Sequence, residues 1–211
     1  MKKNEFIKPT DDNGISDSFY DEINYGFEYD YRDCKVDIGD RVLDCGAYVG
    51  MFTEYAYRMG CEKVYSVEMD GERFECLKQN LAKIPVGVKS TQPIPLHLEV
   101  SDKDTSVYYL NVGTFLEHNN IDFVKMDIEG MEWPVLLNMK DEHMCLVDKW
   151  AIEVHLGWSS DKTAWSYGRD FNGHLSNKLL SVIEKFSRNG FNIGFRHPHP
   201  EWSVAMLYAW K

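Results

Sequence analysis

No run in the 211-residue sequence approaches the ~18 consecutive apolar residues that a membrane span requires. The opening MKKNEFIKPT also lacks a hydrophobic stretch of signal-peptide length. The expectation is a soluble, cytoplasmic protein without membrane insertion. Positive charge is scarce: 23 Lys and Arg stand against 34 Asp and Glu, a formal net charge of -11. Such a surface repels phosphate backbones, which disfavours a nucleic-acid partner and suits neutral or cationic ligands. The cysteines Cys34, Cys45, Cys61, Cys76 and Cys145 are odd in number, and none is spaced CxxC from another. They read as buried or half-buried free thiols in a reducing compartment. There is no internal repeat and no low-complexity tract.

What remains is a chain of ordinary globular make-up, 44% hydrophobic, sized for one compact α/β domain. Residues 1–38, polar and rich in Asp and Tyr, read as an N-terminal cover segment, with a short helix over 16–23 capped by Ser16. Residues 39–211 read as a single domain. RVLDC is a strand, GAYVG a turn, and MFTEYAYRMG a helix stopped by Gly60. KVYSVEMD is a second strand, GERFECLKQNLAKI an amphipathic helix, and IPLHLEVSD a third strand. TSVYYLNV adds an extra strand, and a helix is expected over 113–119. IDFVKMDIEG and KWAIEVHLG are further strands; between them MEWPVLLNM is a short helix with Pro134 in its first turn. LSNKLLSVIEKFSRNG is a helix, and FNIGFRHPHPEWSVAMLYAWK is two strands joined by a turn. Alternating strands and helices predict a Rossmann-like α/β fold: a mainly parallel seven-stranded sheet with helices on both faces. The last strand, reached by a short turn, must run antiparallel to its neighbour. That hairpin marks the class I methyltransferase variant of the design. Ligands would bind along the edge where the loops after the strands gather.

The sharpest motif is VLDCGAYVG, with Asp44, Gly46, Ala47, Tyr48 and Gly50 on a strand-turn-helix. Gly46 lets the backbone approach a ligand, Gly50 helps helix and strand pack, and the helix N-terminus offers free N–H groups. Asp44 suits the ammonium of a methionine moiety, directly or through water. A nicotinamide dehydrogenase would need G-x-G-x-x-G, and Tyr48 stands at the second glycine, so a pyrophosphate could not come as close. The spacing therefore points to S-adenosyl-L-methionine. Glu68, with Met69 after it, ends the next strand about twenty residues on, where an acid takes both ribose hydroxyls. Ser101 and Asp102 end the third strand, where an adenine edge would be read, and Asp127 ends the fourth.

These residues carry a resemblance. GDRVLDCGAYVGMFTEYA, VYSVEMD, LHLEVSDKD, IDFVKMDIEGMEWPVL and AIEVH are similar, in order, to stretches of the FkbM family of methyltransferases. The likeness spans residues 39–155, and KMDIEGME is its most specific piece. Tyr48 departs from it, since the family commonly has Asn there. So does the aromatic-rich insertion after His155. The resemblance implies O-methylation of hydroxyls on sugars, glycans or small natural products.

On the acceptor side, neighbouring strand ends gather Asp127, Glu129, Glu132, Glu153 and His155. Methyl transfer to an alcohol needs a base within reach of the hydroxyl proton. His155 is favoured because its unperturbed pKa lies near neutrality, with Asp127 second. Carboxylates so close repel unless compensated, and a divalent cation such as Mg²⁺ on Asp127 and Glu153 would do so and polarise a hydroxyl. The alternative is that these acids cap a helix or pair with Lys125, Lys149 or Arg196. Glu129, Trp158, Trp165, Tyr167 and His174 are candidates to touch the acceptor, aromatic faces suiting the C–H faces of sugars; a loop pinned by its aromatics is the alternative. The competing functions are an RNA ribose 2'-O-methyltransferase, hinted at by Lys125 and Asp127 but opposed by the charge, and a cofactor-binding module without turnover.

Overall fold

A computed structural model describes residues 1–155, 177–196 and 204–211, apart from Phe27, Val88 and Thr105. In chain order the elements are α1 (Ile15–Tyr25), β1 (Arg41–Cys45), α2 (Met51–Arg58), β2 (Lys63–Glu68), α3 (Gly71–Leu81), β3 (Ile94–His97), β4 (Glu99–Ser101) and β5 (Tyr109–Asn111). There follow α4 (Val112–His118), β6 (Phe123–Met126), α5 (Glu132–Asn138), α6 (Asp141–Met144), β7 (Lys149–His155), α7 (Asn177–Arg188), β8 (Asn192–Arg196) and β9 (Val204–Trp210). Among these residues seven strands form one sheet in the order β3-β2-β1-β6-β7-β9-β8. Every pair is parallel except the two made by β9, which runs antiparallel to both β7 and β8. The expected fold class is the one observed.

The sheet is buried on both faces, and its side chains alternate between them. On β9, Ala205, Leu207 and Ala209 face a core with Leu116 of α4, Leu136 of α5 and Val182 and Phe186 of α7. Met206, Tyr208 and Trp210 face the opposite core, filled by Phe52 and Tyr55 of α2 and by Phe6, Ile23 and Tyr29 from the segment before β1. Among the described residues no helix is long and apolar enough to cross a membrane. All five thiols are free; Cys145 is exposed and the other four are buried.

Three local expectations differ. Ser16 does not cap α1 but lies inside it, behind Gly14, and its N–H and hydroxyl both donate to Asp12. The third strand is two. The β2–β3 register ends at Glu68↔His97 because β2 ends there, so the next residues have no sheet partner. Their backbone groups still need one, and Glu99–Ser101 pairs in parallel with Tyr109–Asn111 in a separate two-stranded sheet. Finally α6 is one turn, too short to leave a periodic pattern in the sequence.

Candidate active site

The turn after β1 is built on close approaches. Gly46 has φ +79°, and a Cβ there would stand 1.7 Å from the backbone oxygen of Asp127. The crowding that demands glycine comes from the end of β6, rather than from a ligand as its place in the motif suggested. Gly50, at φ +92°, similarly makes room for Leu77 and Leu81 of α3, not for its own strand. Ala47 packs in the same cluster. Tyr48 is the unusual member: it holds φ +51°, a region costly for a bulky residue. Its N–H donates to Glu68 Oε2 at 2.9 Å, and its hydroxyl donates to Asp12 at 2.9 Å. Its ring meets Phe19 edge-on, with the Arg73 guanidinium above it. The segment before β1 is thus tied to the turn through one side chain.

Behind the turn lies a buried charge pair that sequence reasoning assigned differently. Asp44 is fully buried; its Oδ2 accepts from Thr53 at 2.8 Å. Its Oδ1 is 3.4 Å from Lys125 Nζ, which is also 3.5 Å from Asp127 Oδ2. Lys125 further donates to the carbonyl of Gly46 at 2.6 Å. Burial works against its charge, but Asp127, Asp44 and Glu153 outweigh it and hold the ammonium protonated. Burial also lifts the Asp44 carboxyl, against the pull of Lys125 and Thr53. A direct contact from Asp44 to a ligand's ammonium does not fit this burial. Asp44 acts instead on the turn, through Lys125.

Gly46, Tyr48, Glu68, Met69 and Asp127 share a cavity of about 400 Å³, with apolar walls from Val67, Leu98, Val100 and Ile128 and a roof from Ile15 and Phe19 of α1. Glu68 accepts from the N–H of Tyr48 through one oxygen and from the N–H of Asp70 at 2.8 Å through the other. Each oxygen keeps a lone pair for a ligand hydroxyl. Burial raises its pKa, opposed by those two N–H groups. An acid fixed at a strand end over an apolar slot of this size fits the ribose and adenine of S-adenosylmethionine. Ser101 and Asp102 do not reach it. They line a second cavity of about 230 Å³ with Asn111 and His143, and Asp102 accepts from Asn138 at 2.8 Å. The split after β3 is the cause: Leu98 and Val100 take the wall that the strand end was expected to occupy.

At the far wall the acids converge. Asp127, Glu153 and His155 each present a ligand atom within 4.8 Å of the others. His155 Nδ1 lies 3.0 Å from Oε1 of Glu132, which is fully buried and also accepts from the N–H groups of Ile128 and Gly130. His155 Nε2 faces Glu129 at 3.4 Å and Glu153 at 3.9 Å. Burial disfavours the imidazolium, but the Glu132 hydrogen bond and the charges of Glu132, Asp127 and Glu153 win, pushing its pKa up to about 9. These acids favour the imidazolium, which works against His155 as the resting general base. Glu153 is driven up to about 9 by burial, Asp127 and Glu28. Glu28 and Tyr29, from the segment before β1, were not anticipated, because nothing local in DEINYGFEYD marks a residue that long-range packing will bury beside Asp127. Burial and its acidic neighbours raise Glu28 to about 7. Trp158, Trp165, Tyr167 and His174 lie outside the described residues.

The strand order and the antiparallel β9 are those of the class I, Rossmann-like methyltransferase fold. In sequence, residues 99–193 are similar to the Methyltransferase FkbM domain, whose family model they match. No curated protein matches the sequence. Among solved structures, methyltransferase FkbM from Methylobacillus flagellatus KT is 20% identical, with a TM-score of 0.61 over 99% of this chain and 49% of that one. The chain thus spans about half that protein's length. Magnesium protoporphyrin IX methyltransferase from Synechocystis PCC 6803, with S-adenosylmethionine bound, is 16% identical at a TM-score of 0.51, covering 93% of this chain and 81% of that one. The fibrillarin pre-rRNA processing protein of Methanococcus jannaschii is 14% identical at 0.53, covering 83% and 67%. At these identities the structures speak for the fold alone.

Proposed function

We propose that the protein transfers a methyl group from S-adenosylmethionine to a hydroxyl of a sugar, glycan or small natural product. One observation carries this: Asp127 lines the cavity of Glu68 and Tyr48 and also belongs to the cluster with Glu153 and His155. The cofactor slot and the proton-handling groups therefore meet at one carboxylate. When bound, S-adenosylmethionine supplies an electrophilic methyl. Glu68 and the Gly46–Tyr48 turn hold the ribose end, and the walls around Leu98 and Val100 hold the base. Because the acids around His155 favour its imidazolium, we assign hydroxyl activation to Asp127, or to a divalent cation held by Asp127 and Glu153. The net charge of -11 and the burial of Lys125 favour a small neutral acceptor over RNA.

The test is transfer of labelled methyl to deoxysugar glycosides, small phenols and RNA. Label is expected on a glycoside or phenol and absent from RNA, and Asp127→Asn is expected to lower turnover by ~10²–10⁴. Label on RNA alone, or cofactor binding without transfer to any acceptor class, would overturn the reading.

A further inference from the structure

The far wall gathers several carboxyl groups around one histidine, and that histidine is oriented in a recognisable way. A metal-binding imidazole offers one nitrogen to the ion and fixes the ring by giving the other N–H to a carboxylate. Glu132 does this for His155: it is fully buried, two backbone N–H groups lock its Oε1, and that oxygen faces Nδ1 at 3.0 Å. Nε2 thereby faces Glu129 at 3.4 Å and Glu153 at 3.9 Å. Donors about 2.1 Å from an octahedral ion stand roughly 3.0–4.2 Å apart. The spacing within 4.8 Å at Asp127, Glu153 and His155 closes to that by small side-chain rotations. Lys125 engages Asp127 through Oδ2 and lies against the turn, so it does not fill the space between the three.

A second observation is independent of these three residues. Glu28 is 7% exposed, its Oε2 has no hydrogen-bond partner among the described residues, and it lies near enough to Asp127 and Glu153 to perturb Glu153. A buried carboxylate oxygen without a donor is costly unless something positive meets it.

We propose that Asp127, Glu153 and His155 bind a divalent first-row cation of the Mn²⁺, Co²⁺ or Zn²⁺ kind, with Glu28 as a further carboxylate donor and Glu132 fixing the histidine. Imidazole in the donor set favours these ions over Mg²⁺, which takes oxygen ligands. The ion occupies the place at Nε2 that a proton otherwise fills, and it converts His155 from a cationic neighbour of the acceptor into a ligand. Its role in lowering a hydroxyl pKa rests on the methyl-transfer reading; its binding does not.

Titration of Co²⁺ into the full chain, followed by visible absorption and by Mn²⁺ competition in electron paramagnetic resonance, tests this. One equivalent is expected to bind with d–d bands characteristic of mixed nitrogen and oxygen ligation, and Mg²⁺ is expected to compete poorly. His155→Gln should remove the nitrogen signature and lower affinity at least tenfold. Glu132→Gln should weaken binding roughly 10–100-fold. Glu28→Gln, checked for native circular dichroism, should weaken it less while leaving the bands in place. No binding of either ion at millimolar concentration by folded protein would overturn the proposal, as would spectra unchanged by His155→Gln. Measuring S-adenosylmethionine binding on the same samples keeps the two readings apart: a protein that binds Co²⁺ at His155 but no cofactor supports this site and removes the methyltransferase reading.

Discussion

Lys125→Met is expected to cost about 3–5 kcal/mol of folding stability, the usual consequence of leaving a buried charge without its partner. Lys125 is 3% exposed and its neighbour Asp44 is fully buried. Among the described residues Asp44 Oδ1 has no hydrogen-bond donor, so the ammonium at 3.4 Å is its principal compensation. The same ammonium holds the carbonyl of Gly46, so the variant also loosens the turn that lines the cavity. Urea unfolding measures the loss. The double variant Lys125→Met with Asp44→Leu should recover more than half of it, because replacing both charges with apolar groups is often close to neutral. A single-variant loss below about 1 kcal/mol, or no recovery in the double variant, would mean that water reaches Asp44 and that the pair is not the hinge of the turn.

Glu68→Ala should raise the dissociation constant for S-adenosylmethionine by about 10² or more. Two hydroxyls donating to one carboxylate are each worth roughly 1.5–3 kcal/mol, and partial replacement by water offsets some of that. The substitution also frees the N–H groups of Tyr48 and Asp70. Glu68→Gln separates the two effects: its amide oxygen still accepts from one N–H, and it lacks the charge. Calorimetry reads the affinities directly. The rise in melting temperature with saturating cofactor, which follows from preferential binding to the folded state, should vanish in Glu68→Ala. Cofactor affinity unchanged in both variants would place the ribose elsewhere in the 400 Å³ cavity.

The alternation of strands and helices, the mainly parallel sheet and the antiparallel last strand were legible because periodicity and short turns are local signals. So was the place of Glu68, since a strand end twenty residues after a glycine turn leaves little freedom. The purpose of individual residues was less visible. Gly46 is required by a carbonyl eighty-one residues away, and Asp44 is turned inward by a lysine on the adjacent strand. The raised pKa of His155 depends on Glu132 at the start of α5, Asp127 just past β6 and Glu153 on its own strand. Glu28 arrives from a segment that carries no motif. Ser101 and Asp102 were misplaced because a strand's end is set by where its neighbour stops, and only the β2–β3 register reveals that.

The position of β9 has a consequence for the solution behaviour of the chain. Residues of β7 from Trp150 to Val154 are buried along their whole length, and β9 covers the outer rim of that strand, while among the described residues β8 pairs with β9 and with no other strand. If β9 detaches, β7 becomes a long, flat, apolar strand with a row of unsatisfied amides, the template that recruits a second chain. Damage at the last strand would therefore appear first as self-association and precipitation, before any loss of the cofactor half of the sheet.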